Sequence, residues 1–410
     1  MVVLSTTLFL KAQDAEDSNK RVKVDHQTHI QEIPARMESM PTEIVHKICG
    51  YLPQAAIAAL GVTCKELRQK TQHAFHTFDF VRTHEQEIGA AGINEVIDRH
   101  ASPTLKRLML GRAYNQVAFR KCPHLLTLTI NTQVPNLPTD QLPEEISLLE
   151  KLQKLSLRGI NAVAETMGRL APLTKLRKLN INVDDGFVVA LPPATLENLQ
   201  KLVLYNEADD HVNLEDWGGL AAFKNLTKFE FSVDHATELP AALGALTKLR
   251  SLTINDYRGT DYSILRNLQE ITDLILWDSV TVRVPDDLIH LPKLQYLEIS
   301  DGFTVGDADE EIGLDTTALG LLPHLTDLTL DECIDHLPQE LTALQELKRL
   351  SITGNQFPVE TNWALLNELA ALEWVRLQAP ERPAAIEQRI EVVVDVPAYQ
   401  DQDDQDVEIE

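Results

Sequence analysis

The sequence predicts an α/β repeat solenoid preceded by a small helical domain, and three observations carry that prediction. An apolar-x-x-apolar-x-apolar template recurs twelve times between residues 105 and 380, at intervals of 20 to 31 residues. Residues 39–74 instead carry apolar residues at helical spacing. The chain has 410 residues, more than one compact core of ordinary size contains. Because each repeat exposes more apolar surface than it can bury alone, stacked neighbours must share a continuous core.

Each copy of the template predicts one short β-strand, whose fourth and sixth residues point into the core while the residues between them point to the opposite face. The copies begin at Leu105, Leu125, Leu152, Leu176, Leu199, Leu226, Leu249, Ile271, Leu294, Leu325, Leu347 and Leu372, and Phe75, Phe78 and Phe80 form an aromatic thirteenth copy ahead of them. These copies resemble leucine-rich repeats. The resemblance implies a leucine-rich-repeat solenoid, with a parallel β-stack on its concave face and short helices or turns on its convex face.

The segments between strands alternate in kind. Every second segment carries a Leu-Pro or Val-Pro dipeptide, with the prolines at Pro138, Pro143, Pro192, Pro240, Pro285 and Pro338. The segments between them carry polar residues that can start a helix, such as Asp216, Asp261, Asp315 and Asn362. Because proline fits the first turn of a helix and fixes its entry angle, neighbouring coils should turn differently. The sequence therefore predicts a two-coil super-repeat of 45–54 residues.

The ninth position of each copy departs from the family pattern. Leucine-rich repeats usually place Asn or Cys there, where the side chain bridges backbone groups of adjacent coils. Here only Cys333 and Asn355 fit that preference. The stack should therefore be less regular than a consensus array.

Residues 39–74 predict three short helices. Ile44, Ile48 and Leu52 form one apolar stripe, Pro53 ends that helix, and Thr63 can cap a later one. The segment resembles an F-box, and the resemblance implies that an adaptor-binding surface is formed by Met40, Pro41, Ile44, Ile48, Leu52, Pro53, Ile57, Val62 and Leu67. Ala56 and Leu67 depart from the family, which usually has Asp and often has Trp at these positions.

This order of domains resembles that of F-box/leucine-rich-repeat proteins. The resemblance implies a non-catalytic substrate receptor: the F-box docks on the Skp-type adaptor of a cullin–RING ubiquitin ligase, and the repeats hold the protein to be ubiquitylated. One alternative is that the helices only cap the solenoid of a stand-alone interaction module or effector that sequesters a partner. Bacterial F-box effectors provide a further analogy.

The remaining segments complete the predicted organisation. Residues 1–38 form a flexible N-terminal segment, residues 75–104 connect the helical domain to the solenoid at 105–380, and residues 381–410 form an acidic tail. The tail's charge and lack of periodicity predict disorder.

The concave face is the predicted target-binding surface. Its candidate residues are Lys154, Arg158, Lys178, Lys201, Tyr205, Lys228, Glu230, Asp273, Trp277, Tyr296, Glu298, Trp374 and Arg376. Aromatic side chains and arginines at strand positions that need not be buried are typical of protein interfaces. The alternative is a solvated face with incidental aromatics.

The net charge of −25 is divided unevenly, and it argues against a nucleic-acid partner. Residues 105–248 hold 16 basic and 16 acidic residues, whereas residues 249–380 hold 8 and 23. The sequence therefore predicts a protein partner that is acidic against the early coils and basic against the late ones.

Features of enzymes are scarce in this sequence. Cys49, Cys64, Cys122 and Cys333 are far apart and contain no C-x-x-C pair, which favours buried thiols in a reducing compartment. Cys333 and Asp335 form a Cys-x-Asp pair similar to that of a bacterial class of ubiquitin ligases, but Cys333 occupies a structural position. We predict no catalytic residue, cofactor, metal site or membrane span. We expect the protein in the cytosol of a eukaryote or of a host cell, with the nucleus as an alternative.

Overall fold

The computed structural model describes the greater part of the repeat region and its C-terminal flank. The described residues are 77–79, 93–94, 97, 105–111, 114, 117–132, 142–160, 164–183, 188–189, 191–192, 194–206, 213–214, 217–233, 236–279, 283–300, 304–305, 311–312, 314–355, 357–358, 360–379 and 381–395. The predicted helical domain at 39–74 lies outside these residues.

Two compact units divide the chain, Met1–Asn182 and Val183–Glu410. The strands of the first unit pair in chain order and are all parallel: β1 (Thr77–Asp79), β2 (Arg107–Leu110), β3 (Thr127–Asn131), β4 (Lys154–Arg158) and β5 (Lys178–Val183), whose last residue begins the second unit. Strand β1 coincides with the aromatic copy of the template. Equivalent template positions stand opposite each other, as Leu108 does to Leu128. The predicted register is therefore confirmed in this unit.

The second unit contains a longer run of strands. They are β6 (Val188–Val189), β7 (Lys201–Asn206), β8 (Asn213–Leu214), β9 (Lys228–Ser232), β10 (Ser251–Asn255), β11 (Asp273–Trp277), β12 (Tyr296–Ser300), β13 (Thr304–Val305), β14 (Glu311–Ile312), β15 (Asp327–Asp331), β16 (Arg349–Ile352), β17 (Trp374–Gln378) and β18 (Glu391–Asp395). One parallel sheet has the order β7-β9-β10-β11-β12-β15-β16-β17-β18. Every strand that the template predicts is present.

Two small sheets were not predicted. Strands β6 and β8 pair in parallel, and β13 and β14 pair antiparallel. Strands β13 and β14 lie together in the longest interval between template copies, 31 residues, whereas β6 and β8 lie in two successive coils. The template could not predict them because they follow no repeat.

The core lies on one side of each sheet. Leu252, Leu274 and Leu297 occupy the fourth template position on adjacent strands and are fully buried. The first and sixth positions are buried in the same way, as Leu249 and Ile254 show. Each buried leucine removes apolar surface worth about 1.5–3 kcal/mol from water, and its neighbours in adjacent coils cover it.

The segments opposite the strands are mostly 3-10 helices: Phe119–Lys121, Glu144–Leu148, Gly218–Ala222, Ala241–Ala245, Ser263–Asn267, Asp286–His290, Thr317–Leu321, Gln339–Ala343 and Trp363–Glu368. An α-helical turn, α1 (Ala164–Gly168), lies between β4 and β5, and residues 93, 94 and 97 are also α-helical. From Gly218 onward, the residue before each helix is alternately a proline with ψ of 124° to 133° and a non-proline residue with ψ of −13° to 74°, so neighbouring coils turn differently, as the two-coil super-repeat predicts. None of the helices among the described residues is long and apolar enough to cross a membrane.

Two of the four polar helix-start residues bind the start of a helix through their side chains, whereas Asn362 makes no side-chain capping hydrogen bond and Asp216 lies outside the described residues. Asp261 Oδ1 accepts the backbone N–H of Ser263 at 2.8 Å, and Asp315 Oδ1 accepts that of Thr317 at 3.0 Å. Hydrogen bonds from the hydroxyl groups of Ser263 and Thr317, and then those from their backbone N–H groups, lower the pKa of the Asp261 and Asp315 carboxyls. The backbone hydrogen bonds satisfy donors that the start of a helix leaves exposed.

The chain leaves several strands through a left-handed residue at the eighth template position. Asp256, Asp278 and Glu332 have φ values of 60°, 45° and 49°, and Gly159 and Gly354 occupy the same position with 68° and 70°. Asp tolerates this region better than most residues that have a Cβ. These five coils thus share the same turn out of the sheet.

The stack ends later than predicted. Strand β18 pairs in parallel with β17, and Ile386 and Ile390 are buried beneath it. The prediction of a tail beginning at residue 381 is therefore wrong for residues 381–395, while residues 396–410 lie outside the described part. The template missed this coil because Arg389 stands at its first position.

Arg389 makes hydrogen bonds at the template position where the other copies have a buried apolar side chain. Its guanidinium donates to the carbonyls of Leu372, Asn367 and Leu369 at 2.9, 3.0 and 3.1 Å. These hydrogen bonds satisfy carbonyls of the preceding coil and join the coil of β18 to the coil of β17.

Candidate functional site

Alternation along the strands of the second unit exposes a second sheet face, opposite the core. We call it the outer face. It comprises the third, fifth and seventh template positions: Lys201, Val203, Tyr205, Lys228, Glu230, Ser232, Ser251, Thr253, Asn255, Asp273, Ile275, Trp277, Tyr296, Glu298, Ser300, Asp327, Thr329, Asp331, Arg349, Ser351, Trp374, Arg376 and Gln378.

The first unit carries predicted site residues of its own. Lys154 and Lys178 stand directly opposite each other on β4 and β5, and both are exposed. Arg158 faces Asn182 four residues further along the same strands. The two lysines form a positive surface. Like charges on adjacent strands repel each other, and an acidic partner would relieve that repulsion.

The first two strands of the outer face in the second unit also carry lysines, but a carboxylate partly neutralises their charge. Lys201 and Lys228 are opposite each other on β7 and β9, and each ammonium lies 3.9 Å from Glu230 Oε2. Tyr205 is half-buried nearby on β7. The predicted basic column is therefore compensated at this end of the second unit.

The central strands bring three predicted residues into one cluster. Glu298 Oε1 accepts the indole N–H of Trp277 at 2.8 Å, and Glu298 Oε2 accepts the Tyr296 hydroxyl. Tyr296 and Glu298 are two residues apart on β12, so they share a face, and Trp277 reaches Glu298 diagonally from β11. All three side chains are half-buried. We call these three residues the aromatic–carboxylate cluster.

Electrostatics around this cluster are strongly negative. Burial, the hydrogen bond to Glu298 and the charge of Glu298 raise the pKa of Tyr296 to about 12. Asp273 and Asp327 flank Tyr296 directly on the neighbouring strands. Arg349, on β16, forms an ion pair with Asp327, which raises the pKa of the Arg349 guanidinium.

Two neighbouring carboxylates bind hydroxyl groups. Asp273 Oδ2 accepts Thr272 Oγ1–H and Asp331 Oδ1 accepts Thr353 Oγ1–H, each at 2.5 Å. Asp273 was among the predicted site residues, whereas Asp327 and Asp331 were not. Asp327 shares the third template position with Asp273, and Asp331 shares the seventh with Trp277, so the template could have indicated both.

The last two predicted residues, Trp374 and Arg376, have different surroundings. Trp374 is half-buried on β17, next to Arg349 on β16. Arg376 instead forms an ion pair with Asp395 of β18, with Nε 2.6 Å from Oδ2. Sequence reasoning placed Asp395 in a disordered tail, so it could not find this partner. The Arg376 side chain is consequently less available to a target than predicted.

Asn255 is a buried polar residue beside the aromatic–carboxylate cluster that sequence reasoning did not single out. It faces Trp277 across β10 and β11 and is 8% exposed. Its Oδ1 accepts no hydrogen bond within the part of the chain that the structure describes. An unexceptional polar residue at a strand position gives no signal of this kind, because the burial arises only from the assembled sheet.

The ninth template position is structural. Asn355 Oδ1 accepts the backbone N–H groups of Cys333 and Ile334, both at 2.9 Å, and its Nδ2 donates to the Leu330 carbonyl at 2.7 Å. Cys333 itself is fully buried, and Asp335 is exposed. The Cys333 thiol is therefore not accessible to a substrate. The predicted adaptor-binding residues from Met40 to Leu67 lie outside the described residues.

Comparison with known proteins agrees with the repeat geometry. A model of the leucine-rich repeat region matches residues 104–333. Two curated relatives are volume-regulated anion channel subunits: LRRC8D of Rattus norvegicus, 27% identical over 168 residues, and LRRC8E of Homo sapiens, 27% identical over 165 residues. Each alignment covers 39% of this chain, which spans about a fifth of the relatives' length.

Two solved structures are similar to this chain. A complex of TLR13 with ssRNA13 has a TM-score of 0.50 and 14% identity, covering 76% of this chain and 48% of that one. An internalin, inlF from Listeria monocytogenes, has a TM-score of 0.46 and 16% identity, covering 83% and 88%.

Proposed function

The chain belongs to the leucine-rich repeat family, and on that basis we propose that it binds a protein partner through the outer face of its second unit. The observation that carries this proposal is the aromatic–carboxylate cluster, in which Glu298 holds Trp277 and Tyr296 on a sheet face that the core does not need. Aromatic side chains held in one orientation lose little entropy on binding and commonly dominate interface energies.

One measurement on two variants tests this proposal. A Trp277→Ala/Tyr296→Ala double variant removes the two aromatic rings from the outer face. An Ile289→Ala/Leu321→Ala variant is the matched control, because both residues are exposed, at 46% and 58%, in 3-10 helices. We expect quantitative affinity purification to lose specific partners from the first variant alone. Retention of every partner by both variants would contradict binding through the outer face.

A finer proposal concerns what the binding serves. The resemblance of residues 39–74 to an F-box supports a role as the substrate receptor of a cullin–RING ubiquitin ligase. The segment would dock on a Skp-type adaptor through its Ile44, Ile48 and Leu52 stripe, and the outer face would hold the target. Catalysis would then belong to other subunits, and the protein would act in the cytosol, or in the nucleus.

Co-precipitation with a purified Skp-type adaptor tests this role. Ile44→Asp/Leu52→Asp places two charges in the apolar stripe and should abolish adaptor binding, while the Ile289→Ala/Leu321→Ala control keeps it. Equal adaptor binding by the wild type and the charged variant, or no binding by either, would refute the F-box role.

The alternative is a stand-alone module that sequesters its partner, with residues 39–74 acting as a cap on the solenoid. In that case deletion of residues 39–74 would lower stability but leave ubiquitylation of the bound partner unchanged. The repeat fold is compatible with both roles, and the adaptor measurement distinguishes them.

A further inference from the structure

The last strand of the sheet, β18, has one side that no other strand covers within the part of the chain that the structure describes. We call this side the β18 edge. The Asp395 carbonyl accepts the Ala379 N–H at 3.3 Å, so Asp395 pairs with the coil of β17. Because consecutive residues of a strand direct their backbone groups to opposite sides, Val392 and Val394 point their N–H and C=O groups to the β18 edge. These groups are available for pairing with a further strand.

The apolar core is also incomplete at β18. Val392 and Val394 stand opposite Val375 and Leu377 of β17, at the fourth and sixth template positions. The two residues of β17 are fully buried, whereas the two valines of β18 are only half-buried, because no described coil follows them. Val393, on the opposite face of the strand, is 37% exposed. A strand that pairs with the β18 edge would therefore also remove apolar surface from water.

Negative charge lies at both ends of these valines. Glu391, at the start of β18, is exposed and forms no ion pair among the described residues. Asp395, at its end, is shared with Arg376. Residues 396–410 follow directly and contain six acidic residues and no basic one. A segment that adds to the β18 edge therefore meets a negative field beside each of its ends.

This charge distinguishes the segments that could occupy the β18 edge. A second copy of the chain, paired through its own β18 in the antiparallel direction, would place Glu391 of one copy beside Asp395 and the acidic residues 396–410 of the other. Like charges that face each other across strands are destabilising. The chain's own residues 406–410, DVEIE, alternate apolar and charged residues but carry only negative charge, so they would meet the same repulsion. A segment with basic ends would instead be attracted.

We propose that the β18 edge binds an extended segment of a protein partner, which adds a strand to the sheet and carries apolar residues between basic ones. The matching pattern is basic-apolar-x-apolar-basic: its apolar residues cover Val392 and Val394, and its basic residues lie near Glu391 and Asp395. Backbone hydrogen bonds give such a strand its affinity, and the alternating side chains give it selectivity. This inference goes beyond the proposed function, because β15, β16 and β17 lie between the β18 edge and the aromatic–carboxylate cluster.

Blocked, fluorescently labelled pentapeptides, titrated into the full chain and followed by anisotropy, test the proposal. Lys-Val-Thr-Val-Lys has the proposed pattern and presents the same side chains in either strand direction. Glu-Val-Thr-Val-Glu keeps the apolar residues and reverses the charge. Val-Lys-Thr-Lys-Val has the composition of the first peptide but turns its lysines to the core side. We expect saturable binding of the first peptide, and an affinity about tenfold lower for each of the other two.

N-methylation tests whether the peptide pairs as a strand. Alternate backbone nitrogens of an extended peptide lie on one side, so methyl groups on one set block pairing with β18 and those on the other set do not. Lys-Val-Thr-Val-Lys that is methylated on its two valines should therefore differ at least about tenfold in affinity from the same peptide methylated on its lysines and threonine. Equal affinities would overturn the proposal, because a peptide that does not add a strand would not distinguish its two sides.

Two variants of the full chain locate the bound peptide. Val394→Pro removes an N–H that points to the β18 edge and no hydrogen bond to β17, and proline is tolerated at such edge positions, so it should abolish binding of the lysine-flanked peptide. Glu391→Lys reverses an exposed charge. It should bind the lysine-flanked peptide about fivefold more weakly and the glutamate-flanked peptide about fivefold more tightly than the wild type does. The control Ile289→Ala should change neither affinity.

Several outcomes would contradict the proposal. One is no binding of the lysine-flanked peptide, and another is an unchanged charge preference in Glu391→Lys. A dimer of the wild type in sedimentation that is lost in Val394→Pro would assign the edge to a second copy. A gain of about tenfold in peptide affinity for the full-length Val407→Pro/Ile409→Pro variant would assign it to residues 406–410. The partner purification with Trp277→Ala/Tyr296→Ala could succeed in all these cases, because it reports on other strands.

Discussion

The indole N–H of Trp277 donates to Glu298 Oε1 at 2.8 Å, from one strand of the sheet to the next. The same carboxylate accepts the hydroxyl of Tyr296. One acid therefore fixes two aromatic rings on a surface that could otherwise leave them free to rotate. The two side chains lose their conformational entropy during folding and not on binding, so a partner meets a preorganised surface.

Replacement of Glu298 by glutamine should alter the titration of Tyr296. Gln keeps an acceptor for the indole but removes the negative charge that disfavours the phenolate. We therefore expect the pKa of Tyr296 to fall from about 12 towards 10.0, with burial keeping it above that value. The tyrosinate absorbance of the variant during alkaline titration, minus that of the matching Tyr296→Phe double variant, measures this pKa. An unchanged pKa would contradict the contribution of Glu298 to the shift.

The raised pKa of Tyr296 also predicts a pH dependence of stability. The unfolded tyrosine loses its proton near pH 10, while the folded one keeps it until about pH 12. The contribution is thus fully present below pH 10 and is lost as the pH rises through this window. Urea unfolding at several pH values should show a smaller loss for Tyr296→Phe than for the wild type. Parallel losses would argue against the assigned cause.

Two buried asparagines should respond differently to alanine. Asn355 satisfies Cys333 N, Ile334 N and the Leu330 carbonyl, whereas Asn255 Oδ1 has no donor among the described residues. Asn355→Ala should cost about 2–5 kcal/mol in the free energy of unfolding, because buried backbone groups lose their partners. Asn255→Ala should cost little. Similar urea midpoints for both variants would contradict the bridging role of Asn355.

Gly259 is expected to be irreplaceable for packing reasons. A Cβ there would overlap the backbone carbonyl of Thr237 and the Tyr257 hydroxyl. That hydroxyl is fixed because it donates to the carbonyls of Thr237 and Asp261, at 3.2 and 2.9 Å. Gly259→Ala should therefore destabilise the second unit by about 1–3 kcal/mol.

Gly320 provides the matched control for that substitution. A Cβ added at Gly320 would lie 3.7 Å from the nearest atom, the Cβ of Ala343, which is an ordinary contact. Gly320→Ala should therefore be close to neutral or stabilising. Thermal unfolding of the two variants compares them directly. A larger loss for Gly320→Ala than for Gly259→Ala would be inconsistent with this packing.

The end of the solenoid predicts the outcome of truncation. A chain ending at residue 395 keeps β18, the buried Ile386 and Ile390, and the hydrogen bonds of Arg389. A chain ending at residue 380 loses them and exposes the edge of β17, which should cost about 3–6 kcal/mol and promote aggregation. Light scattering and urea unfolding measure both effects. Equal stability of the two chains would mean that β18 is dispensable.

The sheet could be predicted because the template fixes both period and register. Asp273, Tyr296 and Asp327 share a template position, and the structure places them opposite one another on adjacent strands. A one-residue slip would turn the buried leucines to solvent, so the pattern permits one register. The alternation of helix starts followed from prolines and short polar residues for similarly local reasons.

The rest depended on side-chain contacts that no period encodes. Arg389 hid the last coil because hydrogen bonds to carbonyls replace the apolar residue that the template expects. Because the last coil was missed, Asp395, the partner of Arg376, was missed with it. Likewise, Trp277 and Glu298 were both candidates, but their contact depends on rotamers and on the diagonal offset between two strands.

Photo-crosslinking from single positions tests the central claim most directly. A photoreactive amino acid is placed at Ser351, on the outer face, and in a second protein at Gln345, an exposed residue between a 3-10 helix and β16. The account predicts a crosslinked protein partner from Ser351 that is lost in the Trp277→Ala/Tyr296→Ala background, and none from Gln345. Crosslinks from Gln345 alone, or a Ser351 crosslink that survives removal of both rings, would contradict it.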